Sequence, residues 1–488
     1  MLTETSNASD CEKQPIVEPA STIQSKMVLD DRSMEVSARE IHDSNSSNDG
    51  SNTKTPSRTP SKSMLAHIRW GLFTAYRRFF SIVFMANVAA FVYITVSRRK
   101  SSHFVNASAA NLLCVGLSRH PVTINILYKC VCSLPRSAPL RLRWIASKVS
   151  HYGGVHSGCG ISAAMWYIGF VAILTHDHVS GRPGYRATPV IITLAYIILV
   201  LLLAIITVAY PVFRAKRHDD FEFVHRFSGW LAIALYWPLL FLLAHRFRGP
   251  VTMSHYLTHL PAFWILIILT FIIIHPWLSL RKIKVEPEQI SNHAIRLRFE
   301  SMKPEFAKGF AVSRHPLHDW HGFAQFPDVD GQVSSCLVSR AGDWTSACIE
   351  SPPTYLWKRG IPVRGFGYCL KMFNSCIVVA TGSGIGPCLS FLALADRPRL
   401  RVIWQTRSPL LTYGQDIIDA VHRLDPAAII IDSSLSKTRK DMVPDVLELV
   451  RQENAESVGV ISNYFFTKRM IFEVEARGIP AFGPVFDS

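Results

Sequence analysis

The sequence lacks the cysteine spacing of a metal site. Its 488 residues include ten cysteines, and no two of them form a CxxC pair. The one close pair, "CVC" at 130–132, is too tight for such a site. The scattered spacing does not indicate a disulfide framework either. We therefore expect reduced thiols that face the cytosol or are buried in lipid.

The N-terminal region lacks both aromatic residues and an apolar core. Residues 1–65 are rich in Ser, Asn, Thr and Asp, and no apolar run follows Met1. The missing run excludes a recognisable secretory signal at this position. A segment with so few apolar groups cannot offset the entropy of ordering its backbone. We expect a disordered tail over residues 1–65.

Two further absences limit the function. The chain contains no ATP-adenylating or carrier motif, so the sequence gives no support for an adenylating activity. It also has no separate basic tract, although 52 Lys and Arg residues against 36 Asp and Glu give a net charge of +16. The basic groups flank apolar runs, as in "SRRK" (97–100) and "RKIK" (281–284). That distribution indicates membrane topology and anionic lipid, and not nucleic acid.

Residues 66–281 predict a transmembrane domain of five or six helices. Five apolar runs have about the length that a bilayer requires, namely 79–96, 161–175, 188–213, 229–245 and 259–278. The fourth is slightly short and contains Pro238, which would kink it. Segment 106–132 is either a broken sixth span or a helix pair in the interface, because Arg119, His120 and Pro121 interrupt it. Either number of spans can place the C-terminal half in the cytosol, as the basic stretch at 281–284 predicts.

The membrane half lacks the histidine spacing of a two-haem reductase. In such proteins each of two helices carries histidines about four turns apart, so that both face one side. Here His156 and His176 are 20 residues apart, as are His225 and His245, which places the partners on roughly opposite faces. Parallel helices can still bring His156 near His225 and His176 near His245. A haem b between helices is thus an open but less favoured alternative to interfacial histidines.

Beyond residue 282 the pattern changes to short strands. Residues 282–374 predict an antiparallel β-barrel, with strands at 282–289, 294–301, 309–315, 334–341 and 362–370. Residues 375–488 alternate strand and helix, with strands at 376–381, 400–406, 427–432, 457–462 and 481–487. This alternation predicts a doubly wound parallel α/β domain. A barrel followed by such a domain is the ferredoxin–NADP reductase type of architecture.

A glycine-rich turn follows the first of these parallel strands. "ATGSGIGP" includes Thr381, Gly382, Ser383, Gly384, Gly386 and Pro387. The glycines let backbone amides approach a pyrophosphate, and the helix beginning near Pro387 adds its positive end. The run departs from a strict GxGxxG, and its position between a strand and a helix is what indicates a dinucleotide site.

The next parallel strand ends in Thr406 and Arg407, where the adenosine ribose is expected to lie. An acidic residue there would select NADH, whereas these side chains suit a 2′-phosphate. We therefore expect NADPH. The competing interpretation is that Arg407 is an ordinary surface residue.

Several stretches resemble a fungal family of TmpA-like integral membrane flavoproteins, related to ferric reductases and NADPH oxidases. They are "HYGGVHSGCGISA" (151–163), "HRFSGW" (225–230), "DWHGFAQFPD" (319–328), "SRAGDWT" (339–345), "ATGSGIGPCLS" (380–390) and "RGIPAFGPVFDS" (477–488). The resemblance covers nearly everything beyond residue 70. It implies FAD as a cofactor and a role in asexual development (conidiation) through a redox signal.

The same resemblance implies residues that hold FAD. The flavin-binding His-Pro-Phe-Thr/Ser stretch corresponds to His321, Phe323 and Ala324, without the proline and the hydroxyl group. "GDWT" corresponds to a flavin-side strand, and "RGFG" to an element near the flavin phosphates. These elements and the C-terminal aromatic residue add Trp344, Thr345, Arg364, Gly365, Gly367 and Phe486 to the predicted site. "ISNYFF" (461–466) replaces the usual Cys-Gly-Pro.

The sequence thus favours a multi-pass membrane flavoprotein, in the plasma membrane by resemblance, that passes hydride from NADPH to FAD. The acceptor of the electrons is not visible in the sequence. Two alternatives remain: a haem-containing metal reductase, and a catalytically degenerate membrane scaffold or sensor.

Overall fold

The computed structural model describes residues 74–97, 101–181, 186–435 and 440–485. The predicted tail over residues 1–65 and the predicted flavin-covering Phe486 lie outside these ranges. Ten α-helices precede the first strand in the described part: α1 (Ala75–Val96), α2 (Ser101–Leu117), α3 (Pro121–Val131), α4 (Leu140–Ser147), α5 (Gly153–Val179), α6 (Pro189–Val208), α7 (Pro211–Lys216), α8 (His218–Phe247), α9 (Met253–Thr258) and α10 (Pro261–Leu278).

Five of these helices are long and apolar enough to cross a membrane, by length and composition: α1, α5, α6, α8 and α10. Each predicted apolar run corresponds to one of them, although the run at 188–213 extends past the end of α6 and the run at 259–278 begins before α10. Helix α8 extends over 30 residues through Pro238, so it is longer than the run predicted at 229–245. Helix α6 starts where Thr188 accepts a hydrogen bond from the amide of Ile191 and Pro189 occupies the first turn.

Segment 106–132 is divided between α2 and α3, with the break at 118–120. Helix α2 belongs to the bundle, because Ser108 Oγ donates to the carbonyl of Ala163 on α5 at 3.0 Å. Helix α3 instead contacts the C-terminal half, where the Asn125 amide group donates to the carbonyl of Pro362 at 2.9 Å. The interruption by Arg119, His120 and Pro121 therefore redirects the chain out of the bundle. Whether α2 counts as a sixth span stays a prediction.

The starts of three helices and the ends of two others lie at one end of the bundle. The helices that start there are α1, α5 and α8, and those that end there are α2 and α10. The Tyr76 and Ser157 hydroxyls lie 2.6 Å apart. A ring nitrogen of His120, just beyond α2, lies 3.0 Å from one of His275 on α10. This end faces the C-terminal half, since the amide of Gly360 donates to the carbonyl of Pro276 at 3.0 Å.

Nine short strands and one helix follow: β1 (Arg281–Lys284), β2 (Glu286–Gln289), β3 (Ala294–Phe299), β4 (Lys308–Ser313), β5 (His321–Ala324), β6 (Phe326–Pro327), β7 (Ser334–Ser339), α11 (Asp343–Glu350), β8 (Tyr355–Lys358) and β9 (Val363–Arg364). They form antiparallel sheets ordered β1-β8-β4-β5, with β9 beside β4, and β2-β3-β7-β6. Ile283, Ile295, Phe310 and Val338 join both sheets in one core. The two sheets thus enclose a barrel-like core.

Two local predictions in this region are wrong. Only Val363 and Arg364 of the strand predicted at 362–370 are extended, and Phe366–Met372 is a 3₁₀-helix. "GDWT" does not form a flavin-side strand but begins α11. The reason is local, because the Thr345 hydroxyl accepts hydrogen bonds from the amides of Ala341 and Gly342, both at 2.9 Å, and so caps a helix.

The last part of the chain is a five-stranded parallel sheet. Its elements are β10 (Ser375–Thr381), α12 (Ile385–Leu389), β11 (Arg399–Thr406), α13 (Pro409–Leu424), β12 (Ile429–Asp432), α14 (Val443–Gln452), β13 (Ser457–Ile461), α15 (Tyr464–Glu475) and β14 (Ala481–Phe482). The order β12-β11-β10-β13-β14 is that of a doubly wound domain. The strand order reverses between β10 and β13, which is where such sheets bind ligands.

Helix α4 attaches the helical half to this sheet. Arg143 donates two hydrogen bonds to the Glu456 carboxylate, at 2.6 and 3.2 Å, and a third to the carbonyl of Met372 at 3.1 Å. Only 5% of the Arg143 side chain is exposed. The Trp144 indole N–H donates to Glu475 at 2.9 Å. These buried polar contacts fix the sheet against the helical half.

Candidate functional site

A cavity of about 730 Å³ lies where the bundle, the barrel and the parallel sheet meet. This volume is within the usual range of small-molecule and cofactor sites. The bundle contributes Arg119, His120, Arg226, Trp230, Pro276 and Trp277. The barrel contributes β4 and β5 residues, and the sheet contributes Val378, Gly459 and Ile461. The cavity is therefore shared by all three structural parts.

Four of the predicted flavin residues line this cavity. They are Phe323 and Ala324 on β5, and Gly365 and Gly367 just after β9. Strands β5 and β9 lie on opposite sides of β4, since Gly309 pairs with Ala324 in one direction and with Val363 in the other. Sequence positions about 40 residues apart are thus brought to one wall.

His321 and Trp344 do not line the cavity but stack on each other beside it. Their ring centroids are 4.3 Å apart at an interplanar angle of 28°, and the Phe323 ring lies 5.6 Å from that of Trp344. The ring nitrogens His321 Nε2 and Trp344 Nε1 are buried without a hydrogen-bond partner in the described part of the chain. Burial, the largest influence, lowers the pKa of His321, so its imidazole is neutral at pH 7.

Arg364 and Thr345, the remaining predicted flavin residues, have different environments. The Arg364 guanidinium lies 4.7 Å from the centroid of the Tyr368 ring, and its Nε is also buried without a partner among the described residues. The Arg364 amide donates to Asn125 on α3. Thr345 has its hydroxyl committed to capping α11. Arg364 thus retains a free donor, whereas Thr345 has a structural role.

The glycine turn after β10 lies at the reversal point of the parallel sheet. Gly382 has a φ of +52°, which glycine tolerates best, and its carbonyl accepts a hydrogen bond from the buried Trp404 indole at 2.9 Å. A Cβ at Gly384 would lie 2.5 Å from the carbonyl oxygen of Ile461. The Thr381 and Ser462 hydroxyls, at the ends of β10 and β13, lie 2.6 Å apart. The loop is thus held closely at both strand ends.

The rest of this turn connects the sheet to the barrel. A Cβ at Gly386 would lie 3.3 Å from that of Leu337 on β7, and Pro387 lines the cavity. Ser383 is half-buried in the loop. Helix α12 has only five residues before a 3₁₀ turn takes over, so the positive helix end expected there is short. Backbone amides and close packing, rather than a long helix dipole, shape this site.

The predicted ribose residues lie at the end of β11. Thr406 is buried and Arg407 is exposed. Opposite Thr406 in register is Asp432 at the end of β12, which sequence reasoning did not consider. Its carboxylate accepts hydrogen bonds from the amides of Ser408 and Ser434, at 2.9 and 2.8 Å, and from the Ser434 hydroxyl. Hydrogen bonds from Ser434 lower the pKa of Asp432. An exposed cation and a turn-bound carboxylate therefore share this edge.

The histidines expected near a haem are only partly brought together. The His156 and His225 rings have centroids 6.3 Å apart, and His156 Nδ1 lies 3.2 Å from both the Val115 carbonyl and the Ser118 hydroxyl. His176 and His245 are exposed, and no ring contact joins them within the described ranges. Of the two histidine pairs expected near haems, the described residues thus bring together His156 and His225 but not His176 and His245.

Two arginines and one tryptophan of the site were not predicted. Arg119 was interpreted only as an interruption of a span, and Arg359 carried no motif. Trp404 was quoted as part of "WQTRSP", but its bond to Gly382 depends on the parallel register of β10 and β11. Short-range patterns could not have indicated any of the three.

Comparison with known proteins points to reductases. Residues 366–488 match a family model described as the C-terminal domain of adenylate-forming reductase 03009. Solved structures similar to the C-terminal part include a ferredoxin–NADP⁺ reductase from Neisseria gonorrhoeae with bound FAD and NADP, with 10% identity, a TM-score of 0.34, and coverage of 42% of this chain and 99% of that one. Another contains the CS-b5R domains of human Ncb5or in the NAD⁺ form. It has 9% identity and a TM-score of 0.36, and the match covers 42% of this chain and 69% of that one. Since these scores are below 0.5, the chain's own strand order defines its fold.

Two curated relatives match over most of this chain. Adenylate-forming reductases 03009 and 06235 of Coprinopsis cinerea are 39% identical over 427 residues and 38% identical over 440. These matches cover 87% and 89% of this chain, but 41% and 42% of the two relatives. The chain thus spans about two fifths of the length of the curated relatives it matches.

Proposed function

We propose that this protein is a membrane flavoprotein oxidoreductase in which NADPH reduces FAD. The observation that carries the proposal is the shared cavity. Predicted flavin residues form one wall of this cavity, and the end of the predicted nucleotide loop lines it as well. A reductase of this kind requires the two cofactors to meet face to face. The barrel and the sheet supply one wall each.

The residues around β5 and β9 fit FAD. Arg364 Nε, in the residue before the cavity-lining Gly365, is a buried donor without a partner in the described part of the chain. Leaving such a donor unpaired costs free energy, which an acceptor such as a dinucleotide phosphate would remove. Bound FAD would supply the redox chemistry. The chain would orient it through Phe323 and the two glycines after β9, with Ala324 in the position of the usual hydroxyl residue.

The turn after β10 fits the pyrophosphate of NADPH. Its glycines keep side chains away from the crevice at the strand reversal, where backbone amides can approach the phosphates. Arg407, exposed at the end of β11, would pair with the 2′-phosphate. Pro387, which lines the cavity, connects this loop to the flavin wall. The geometry thus provides a route from the nucleotide loop to the cavity.

We also propose that the helical half crosses a lipid bilayer. Five helices have the required length and composition, and one end of the bundle contacts the reductase half through Pro276 and Arg226. That arrangement would leave the cofactor sites in the cytosol, and the flanking cations favour the same orientation. A plasma-membrane location and a role in asexual development are suggested by the TmpA-like resemblance alone.

A haem-containing reductase is the second candidate, and the His156–His225 pair is the observation that favours it. One experiment separates the candidates. The full chain is purified in detergent, supplied with FAD, and titrated anaerobically with NADPH while its absorbance spectrum is recorded. We expect bound flavin whose absorbance bleaches, without a Soret band. A Soret band that shifts on reduction supports the haem candidate, and failure to retain flavin contradicts the proposal.

A further inference from the structure

The wall that the bundle turns toward the cavity is rich in arginine and tryptophan. Arg119 and Arg226 from the helical half and Arg359 from the loop after β8 line it, together with Trp230 and Trp277. The lining residues that the structure describes include no aspartate or glutamate. Unlike the glycine-rich barrel wall, this wall is positively charged and aromatic.

Two of these arginines have no ion-pair partner among the described residues. Arg226 pairs with Glu222 and donates to the carbonyl of His318 at 3.1 Å. Arg119 and Arg359, by contrast, have no carboxylate within ion-pairing distance among residues 74–97, 101–181, 186–435 and 440–485. Burial, the largest influence, lowers the pKa of Arg359 to about 10, so the side chain is still charged at neutral pH. Arg359 is partly buried, so its charge without an ion-pair partner is costly, and an anion bound in the cavity would remove that cost. Arg119 is exposed and presents its charge to the cavity from the solvent side.

The same wall offers flat apolar surfaces. The Arg359 guanidinium lies 4.7 Å from the centroid of the Trp277 ring and 4.4 Å from that of Trp320. The Trp230 and Trp277 rings meet nearly edge to face, with centroids 5.5 Å apart at 76°. An arginine that packs against two aromatic rings keeps a fixed orientation, which suits recognition of a planar carboxylate.

We propose that the bundle side of this cavity binds a small planar carboxylate, aromatic or conjugated. This inference rests on the proposed function, because the bound carboxylate would lie beside the predicted flavin wall. Arg119 and Arg359 bind the carboxylate through their guanidinium groups, and Trp230 and Trp277 contact the ring. The ligand and the flavin occupy opposite sides of one cavity.

Isothermal titration of the purified full chain in detergent, without FAD or NADPH, tests the inference. The probe is 2-naphthoate, and its neutral isostere 2-naphthamide and inorganic phosphate serve as comparisons. We expect naphthoate to bind, and the amide and phosphate to bind at least about tenfold more weakly. Arg119→Gln should weaken naphthoate binding about tenfold or more, because it removes one charged hydrogen-bond donor group.

Variants at Arg359 and a matched control complete the design. Arg359→Gln should weaken naphthoate binding as Arg119→Gln does, and Arg359→Lys should recover part of it, since lysine keeps the charge but not the planar fork. Arg141→Gln on α4, at an exposed arginine outside the cavity lining, should leave binding unchanged. Thermal unfolding of each variant identifies any loss that comes from misfolding. Arg119 has no ion-pair partner among the described residues, so its variant should fold normally.

Three results would overturn the inference. The proposed site is contradicted if naphthoate does not bind, or if both glutamine variants bind it as well as the original chain does. Phosphate binding that depends on Arg119 as strongly as naphthoate binding does contradicts the ligand class. If Arg119→Gln weakens FAD binding tenfold and FAD abolishes naphthoate binding, these arginines belong to the flavin site. Flavin bleaching by NADPH in the same preparations reports on the proposed function separately, so either claim can fail alone.

Discussion

Replacing Gly384 by alanine is the sharpest perturbation of the predicted nucleotide loop. The added Cβ would lie 2.5 Å from the Ile461 carbonyl oxygen and 3.1 Å from Ile461 Cγ2. The first distance is roughly 0.9 Å short of the 3.4 Å at which ordinary contact begins. Since both contacts are to β13, either the loop or the strand end must move. Overpacking of this kind typically costs about 1–3 kcal/mol.

A displacement near 1 Å should affect nucleotide binding and hydride transfer together. We expect Gly384→Ala to weaken NADPH binding about tenfold or more, and to slow flavin reduction by up to about a hundredfold. FAD binding should stay unchanged, because Gly384 does not line the cavity. Titration calorimetry with NADPH and stopped-flow reduction of the bound flavin measure the two effects.

The control for this prediction is Gly342→Ala. A Cβ at Gly342 meets no atom within 4 Å, and its backbone is extended, so alanine fits there without strain. This variant should bind NADPH with the affinity of the original chain, and its flavin should be reduced at the original rate. If Gly384→Ala also keeps the original NADPH affinity and reduction rate, the turn after β10 does not hold the nucleotide.

Four further predictions concern single residues. Ala324→Ser restores the hydroxyl that the related reductases have, and should raise the flavin reduction rate several-fold through one added hydrogen bond of about 1 kcal/mol, as measured by stopped flow. Arg407→Ala should raise KM for NADPH at least about tenfold and leave KM for NADH unchanged, since only NADPH carries the 2′-phosphate; equal effects on both would contradict its role. Arg143→Ala leaves the Glu456 carboxylate without its cation, with only the hydrogen bonds from Asn374, and should lower stability by roughly 3 kcal/mol, seen as a fall in the thermal midpoint that Arg141→Ala does not cause. Burial lowers the pKa of His321, so its neutral form stabilises the fold above about pH 6.5 and that stability is lost as pH falls. His321→Gln should make the thermal midpoint depend less on pH between about pH 5 and 7, and an unchanged pH dependence would refute the assignment.

The predictable part of this fold rests on local periodicity. Some elements can be recognised from a single stretch of sequence. They are the five apolar runs and the strand β10 with its glycine turn. The parallel arrangement of the last sheet followed from the alternation of strands with helices, whereas its strand order did not. Ala324, which was named from a resembling motif, lies on the cavity wall, and its contact with flavin stays a prediction.

The part that could not be predicted depends on residues distant in the sequence. Arg119 and Arg359 are 240 positions apart and reach one cavity only because α3 leaves the bundle and contacts β9. "GDWT" begins a helix because of a capping bond that a motif comparison does not show. The attachment of Arg143 to Glu456 joins residues 313 positions apart, beyond any periodic pattern.

The central claim is that a nicotinamide and a flavin meet in the cavity between the barrel and the parallel sheet. Anaerobic stopped-flow reduction of the FAD-loaded full chain, with NADPH and with NADPH deuterated at the transferred position of C4, tests it most directly. Direct hydride transfer predicts flavin bleaching in a single turnover, slowed severalfold by deuterium. The claim is contradicted if the flavin stays oxidised. It is also contradicted if both nucleotides reduce the flavin at the same rate under conditions where flavin reduction is the rate-limiting step.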